Sequence, residues 1–64
     1  MKLRDAERHL LDQGARRVGE GANHTKWRGP EGSPSVVPRH REIDFRLVRK
    51  ICRDLGIAPP DGPR

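Results

Sequence analysis

The chain has 64 residues, with 14 Lys and Arg against 9 Asp and Glu and a net charge of +5. This length holds one small domain whose core supplies only about 3–5 kcal/mol, and a single cysteine excludes both an internal disulfide framework and a four-cysteine zinc site. With 31% hydrophobic and 36% charged residues, no stretch approaches the roughly 20 apolar residues of a membrane span and no signal-peptide core follows Lys2 and Arg4, so the chain is expected in the cytoplasm with a polyanion, first of all nucleic acid, as partner.

From Leu3 to Gln13, the residues Leu3, Ala6, Leu10 and Leu11 fall on one helical arc, with Arg4, Asp5, Arg8 and Asp12 opposite. Gly14 supplies the stop. The start has no Ser, Thr, Asp or Asn cap, and His9 sits on the flank of this helix, where solvent is its expected neighbour. Between Ala15 and Pro38 the helical period disappears, and short segments around Val18, Trp27, Val36 and Val37 alternate with turn residues. They predict three antiparallel strands. The first hairpin is expected to turn at Gly21 and Ala22 in type II′ geometry, with positive φ at Gly21. The second connection, Gly29 to Pro34, is a looser loop leading to a strand over Ser35–Pro38.

Asp44 is the expected N-cap of a second helix, in which Val48, Ile51, Cys52 and Leu55 stand at i, i+3, i+4 and i+7. Arg46, Arg49, Lys50 and Arg53 repeat on the opposite arc. Gly56 ends the helix. Residues 1–57 thus form the predicted domain, and 58–64, with three Pro and one Gly, a disordered tail. The order helix, three strands, helix, with one apolar sheet face to cover, predicts an α+β sandwich with both helices on the same side of the sheet.

The second strand, Asn23 to Arg28, carries the chief functional candidates. Alternation places Asn23, Thr25 and Trp27 on one face and His24, Lys26 and Arg28 on the other. With Trp27 inward, His24 projects from the open face beside a glycine turn and two cations. Its imidazole can exchange a proton near neutral pH, which Lys and Arg cannot. His40, in Pro38-Arg39-His40-Arg41, is a secondary candidate for acid–base or phosphate contact. The basic stripe Arg46, Arg49, Lys50 and Arg53, with Arg39 and Arg41, is a candidate RNA-binding surface. His9, His24, His40 and Cys52 lack the short paired spacing of a zinc site, so neither metal nor cofactor is expected.

The segments Glu20-Gly21-Ala22-Asn23-His24-Thr25-Lys26-Trp27, Val37-Pro38-Arg39-His40-Arg41-Glu42-Ile43 and Arg49-Lys50-Ile51-Cys52-Arg53-Asp54-Leu55-Gly56-Ile57 together resemble the HicA family of type II toxins. The resemblance covers nearly the whole chain. It implies a fold similar to a double-stranded-RNA-binding domain, an mRNA interferase that is monomeric outside its antitoxin complex, and a cognate HicB-type antitoxin as partner. The family's catalytic histidine corresponds to His24, positioned by Gly21, Ala22 and Asn23. Relatives commonly carry two adjacent glycines before Asn-His, whereas this chain has Ala22 as the second. Two further functions fit the same residues: a non-catalytic RNA-binding module using the basic stripe and open sheet face, and an inert partner subunit whose His24 face serves protein contact.

Overall fold

A computed structural model describes residues 1–61 and contains α1 (Leu3–Asp12), β1 (Arg16–Glu20), β2 (His24–Arg28), β3 (Pro34–Pro38) and α2 (Phe45–Leu55). The strands form one antiparallel sheet in the order β1-β2-β3. Thr25, Trp27 and Val37 point from one sheet face into a core with Ala6 and Leu10 of α1 and Val48, Ile51, Cys52 and Leu55 of α2. Both helices therefore cover the same face, as the apolar patterning requires. The other face is open.

Both helices end as predicted, on a glycine with positive φ, Gly14 at +92° and Gly56 at +74°. Gly14 N–H bonds the Leu11 carbonyl and Ala15 N–H that of Leu10; Gly56 and Ile57 repeat the pair on Arg53 and Cys52. These are Schellman closures, in which the carbonyls orphaned at a helix end are satisfied by the residues that follow. Asp44 caps α2 as expected, its Oδ1 accepting from Arg46 N–H at 2.7 Å. The start of α1 lacks a side-chain cap. A short bridge replaces it: Leu3 N–H donates to the Arg41 carbonyl at 2.9 Å and Ile43 N–H to the Met1 carbonyl at 2.8 Å. The segment between β3 and α2 thereby takes over the work of the cap.

Leu11 departs from the expected apolar arc and is 58% exposed. At about 100° per residue it stands roughly 80° from Leu3 and 100° from Leu10, outside the stripe that Leu3, Ala6 and Leu10 share. His9 also departs from solvation: its Nε2 donates to the Ala58 carbonyl at 2.7 Å, tying residue 58 to α1. Residues 58–61 contain no helix or strand, and the rest of the tail predicted at 58–64 lies outside the described residues.

The first hairpin corrects the expected turn. Glu20 pairs with Thr25, and Gly21 N–H bonds the His24 carbonyl at 2.7 Å, so the central turn residues are Ala22 and Asn23 rather than Gly21 and Ala22. Gly21 has no positive φ, and neither has any non-glycine residue described. Gly21 contributes by close approach instead, because a Cβ there would lie 3.3 Å from the His24 carbonyl oxygen. Ala22 thus meets no backbone requirement for a second glycine.

β3 starts one residue earlier than expected, at Pro34, and β2 one residue later, at His24. The bonds Arg39 N–H to the Asn23 carbonyl and Gly29 N–H to the Ser33 carbonyl set the ladder so that odd-numbered residues of β3 face β2 with their backbone groups. Pro34, Val36 and Pro38 consequently turn theirs to the outer edge, where the missing N–H of a proline costs no ladder bond. Two of the three outward positions cannot donate, which blunts this edge against further strand pairing.

Beneath the sheet, Trp27 Nε1 donates to Thr25 Oγ1 at 2.9 Å, and that hydroxyl donates to the Val37 carbonyl at 3.4 Å. The buried polar groups on this strand are thereby paired, as burial demands. At the β3 margin, Ser35 Oγ donates to Asp54 Oδ2 at 3.2 Å and Lys50 Nζ to the same oxygen at 2.9 Å, joining α2 to the sheet. The Lys50 bond is the main cause holding the Asp54 carboxyl below the usual aspartate range, with the Ser35 bond adding to it. Because the folded value is depressed, this contribution is present above the unfolded aspartate pKa of about 3.9 and is lost as pH falls through the folded value. Asp54→Asn is expected to cost at most about 1 kcal/mol at neutral pH, since the pair is solvent-screened. Its thermal midpoint should converge with that of the wild type toward pH 2 and in high salt. A constant difference across that range would show that the carboxylate charge contributes nothing.

Candidate functional site

β2 alternates between exposed His24, Lys26 and Arg28 and buried Thr25 and Trp27. The inward anchor is Trp27, 2% exposed, and a strand whose side chains alternate must then turn His24 outward. His24 sits at the end of β2 where the hairpin closes. Its carbonyl accepts from Gly21 and its strand partner on the other side is Pro38. The residue is exposed, and its ring makes no hydrogen bond to another described residue.

A shallow hollow of about 350 Å³ lies against this ring, lined by Gly21, Ala22, Asn23, His24, Lys26 and Val36. Opposite Lys26 the pairing of β1 is irregular. Val18 forms a bulge in β1, after which Gly19 stands opposite Lys26. The Lys26 stem lies against Gly19, where even a Cβ would stand at an ordinary packing distance of 3.5 Å. Val36, paired with Lys26 and 51% exposed, adds an apolar wall that the charge-led reading omitted. Strand alternation from inward Val37 was the signal for it.

The other candidates are placed less closely. Arg28 is four residues along the strand, about 13 Å from His24 at 3.3 Å per residue, and its Nη1 donates to the Gly32 carbonyl at 2.8 Å. Arg39 faces Glu20, Nη2 to Oε2 at 3.8 Å. Glu20 shares its sheet face with Thr25, so this pair lies on the helix-bearing side at the sheet end. His40 is exposed two residues beyond Pro38. Arg41 lines a separate hollow with Lys2, Leu3, Arg4 and Glu7 at the start of α1.

On α2, Lys50 is committed to Asp54 at 2.9 Å. Arg46, Arg49 and Arg53 are exposed and, among the described residues, have no acidic partner. Since Val48, Ile51, Cys52 and Leu55 face the core, the arc carrying Arg46 and Arg53 points away from the sheet. The basic residues therefore divide between two faces, with Lys26 accompanying His24 and the arginines of α2 behind the helix layer. Burial raises the Cys52 thiol pKa, which keeps that group protonated and unreactive.

Among the described residues, no three His, Cys, Asp or Glu side chains gather as a metal site, and no helix is long and apolar enough to cross a membrane. No curated protein and no solved structure matches the chain. The model of the family described as the HicA toxin of bacterial toxin-antitoxin systems matches residues 3–57, from the first turn of α1 to the residue that closes α2. With nearly its whole folded length so matched, the chain belongs to the HicA toxin family, whose members are generally RNA-cleaving toxins paired with an antitoxin.

Proposed function

We propose that this protein is an mRNA interferase that cuts RNA at the open sheet face, with His24 as its general base. The observation that supports this most directly is the exposed His24 ring, which shares one hollow with Lys26 and has no hydrogen-bond partner among the described residues. His24 takes the proton of a ribose 2′-hydroxyl. The 2′-oxygen then forms a bond to the adjacent phosphorus as the bond from phosphorus to the 5′-oxygen breaks, leaving a 2′,3′-cyclic phosphate and a 5′-hydroxyl. Lys26 offsets charge developing on the phosphoryl oxygens.

The leaving 5′-oxygen needs a proton, and His40 is the proposed donor. It follows Pro38, the strand partner of His24, by two residues. Arg28, on the sheet face of His24, would meet a flanking phosphate by exchanging the Gly32 carbonyl for the ligand, whereas Arg39 would have to leave Glu20 and turn round the sheet end to do so. The turn Gly21-Ala22-Asn23 fixes the direction from which His24 meets the ribose. The proposed chemistry uses no metal, and a HicB-type antitoxin would inhibit a monomeric toxin by covering this face.

Purified protein incubated with a labelled transcript in excess chelator is expected to release fragments that end in cyclic phosphate. Binding without turnover would favour a non-catalytic RNA-binding module. Fragments that form only after a divalent ion is restored would overturn the metal-free step.

A further inference from the structure

We infer that the outer face of α2 is a second RNA contact, which holds the strand away from the cut and operates only on RNA long enough to reach both faces. This rests on the proposed cleavage at His24, because it concerns how the same substrate is held.

Arg46, Arg49 and Arg53 are separated by three and four residues, so they rise about 4.5 and 6 Å along the helix axis. That spacing is comparable with successive phosphates on a partly extended strand. At about 100° per residue the three guanidinium stems fall within one 60° arc. The adjoining carboxylate, Asp54, is occupied by Lys50 and Ser35 on the other flank of the helix. Among the described residues no carboxylate is ion-paired to Arg46, Arg49 or Arg53, although Arg53 lies near enough to Asp54 to help hold that carboxyl ionised. Guanidinium groups engage phosphate oxygens in bidentate fashion and are less strongly hydrated than ammonium groups.

The chain following α2 completes the surface. Arg49 and Arg53 flank a hollow of about 210 Å³ whose remaining walls are Ile57 and Pro59. The bond from His9 to the Ala58 carbonyl holds this segment in place. Two cations beside a small apolar wall suit a phosphate with its ribose. Charge of the same sign lies on the open sheet face at Lys26, and the molecule is only 16 Å across its shortest dimension. One polyanion can therefore serve both faces by rounding the molecule. RNA is the favoured occupant because the proposed cleavage face must already bind this polyanion, so one ligand accounts for the cations on both faces.

The test uses His24→Ala protein, so that RNA survives the measurement, with and without Arg46→Gln, Arg49→Gln and Arg53→Gln together. Anisotropy titrations are made with a labelled tetranucleotide and with a labelled RNA of about 20 nucleotides across a salt series. For the longer RNA the triple variant is expected to bind at least about 10-fold more weakly, with the log–log salt slope reduced by about 2, three charges at about 0.7 each. The tetranucleotide, which can occupy only one face at a time, should lose much less. A triple Arg→Lys variant should restore the slope, which a merely structural effect would not do.

Equal affinity of parent and triple variant for the longer RNA overturns the second contact, as does an equal loss on both lengths. Retained RNA affinity with lost binding of polyglutamate assigns the surface to an acidic protein instead and also overturns it. If the wild type cuts the transcript while the variants bind it alike, only this inference fails. If the wild type neither binds nor cuts, the proposed function fails with it.

Discussion

His24→Ala is expected to reduce RNA cleavage by at least about 10²-fold, the lower end of what a positioned general base contributes, and to abolish growth arrest on induction. The far-UV circular dichroism spectrum should not change. His24 is exposed, and its hairpin is held by backbone bonds that alanine keeps, from Gly21 N–H to residue 24 and from Arg39 N–H to Asn23. The inward side of β2, where Thr25, Trp27 and the Val37 carbonyl are linked, is untouched. Loss of cleavage can therefore be separated from loss of fold. Mapping transcript ends for wild type and variant side by side makes the comparison, and undiminished fragmentation by the variant would remove His24 from the chemistry. Lys26→Ala is the instructive companion. A residue that offsets charge without moving a proton should leave a residual rate above that of His24→Ala.

The second large effect is expected at Gly29, where alanine should leave the protein predominantly unfolded. A Cβ there would stand 1.8 Å from the Leu55 carbonyl oxygen and 2.8 Å from its carbon. Both obstacles are backbone, so no rotamer change relieves them. Leu55 closes α2 and its side chain is 1% exposed in the core, while Gly29 bonds Ser33 at the base of the β2–β3 loop. Helix end and sheet must move apart. Ordinary overpacking costs about 1–3 kcal/mol, this overlap should exceed it, and a domain of this size has only about 3–5 kcal/mol to lose. Gly32→Ala is the control, since its Cβ would meet nothing within 4 Å but its φ is +91°. A penalty of about 1–2 kcal/mol is expected from that conformation alone. Denaturant midpoints for the two variants decide the point. Similar midpoints would show that the helix–loop approach is not tight.

The Gly29 contact shows why part of this molecule was hidden in its sequence. Gly29 stands among Pro30, Gly32, Ser33 and Pro34, a composition that spells a loop on local grounds. Its real constraint comes from Leu55, 26 positions away, and no local pattern carries that distance. The start of α1 is similar. It reads as uncapped because the acceptor for Leu3 N–H is the Arg41 carbonyl, and backbone carbonyls are identical at every residue type. Gly21 misled in the opposite sense: glycine beside alanine suggested positive φ, but the register Glu20↔Thr25 moved the turn by one residue.

For the candidate site, the alternation from Trp27 was enough to orient His24, Lys26 and Arg28. It was not enough to tell which cations keep company with His24. Arg28, Arg39 and Lys50 have the same composition signal as Lys26, yet they are engaged with Gly32, Glu20 and Asp54. Glu20 became relevant only once the register put it on the side toward which Arg39 turns.

What the sequence by itself determined was the element order, the inward faces of β2 and α2, both glycine helix ends and the Asp44 cap. These depend on periodicity and on residues within a few positions, where side-chain direction follows from backbone geometry alone. Only the tertiary structure decided which charges share a face, which residue of β1 stands opposite Lys26, and what satisfies the first turn of α1. Each of those depends on the distance between segments remote in the chain. That distance is set by how the two helices and the sheet close over Trp27 and Leu55, and packing is a property of the whole fold.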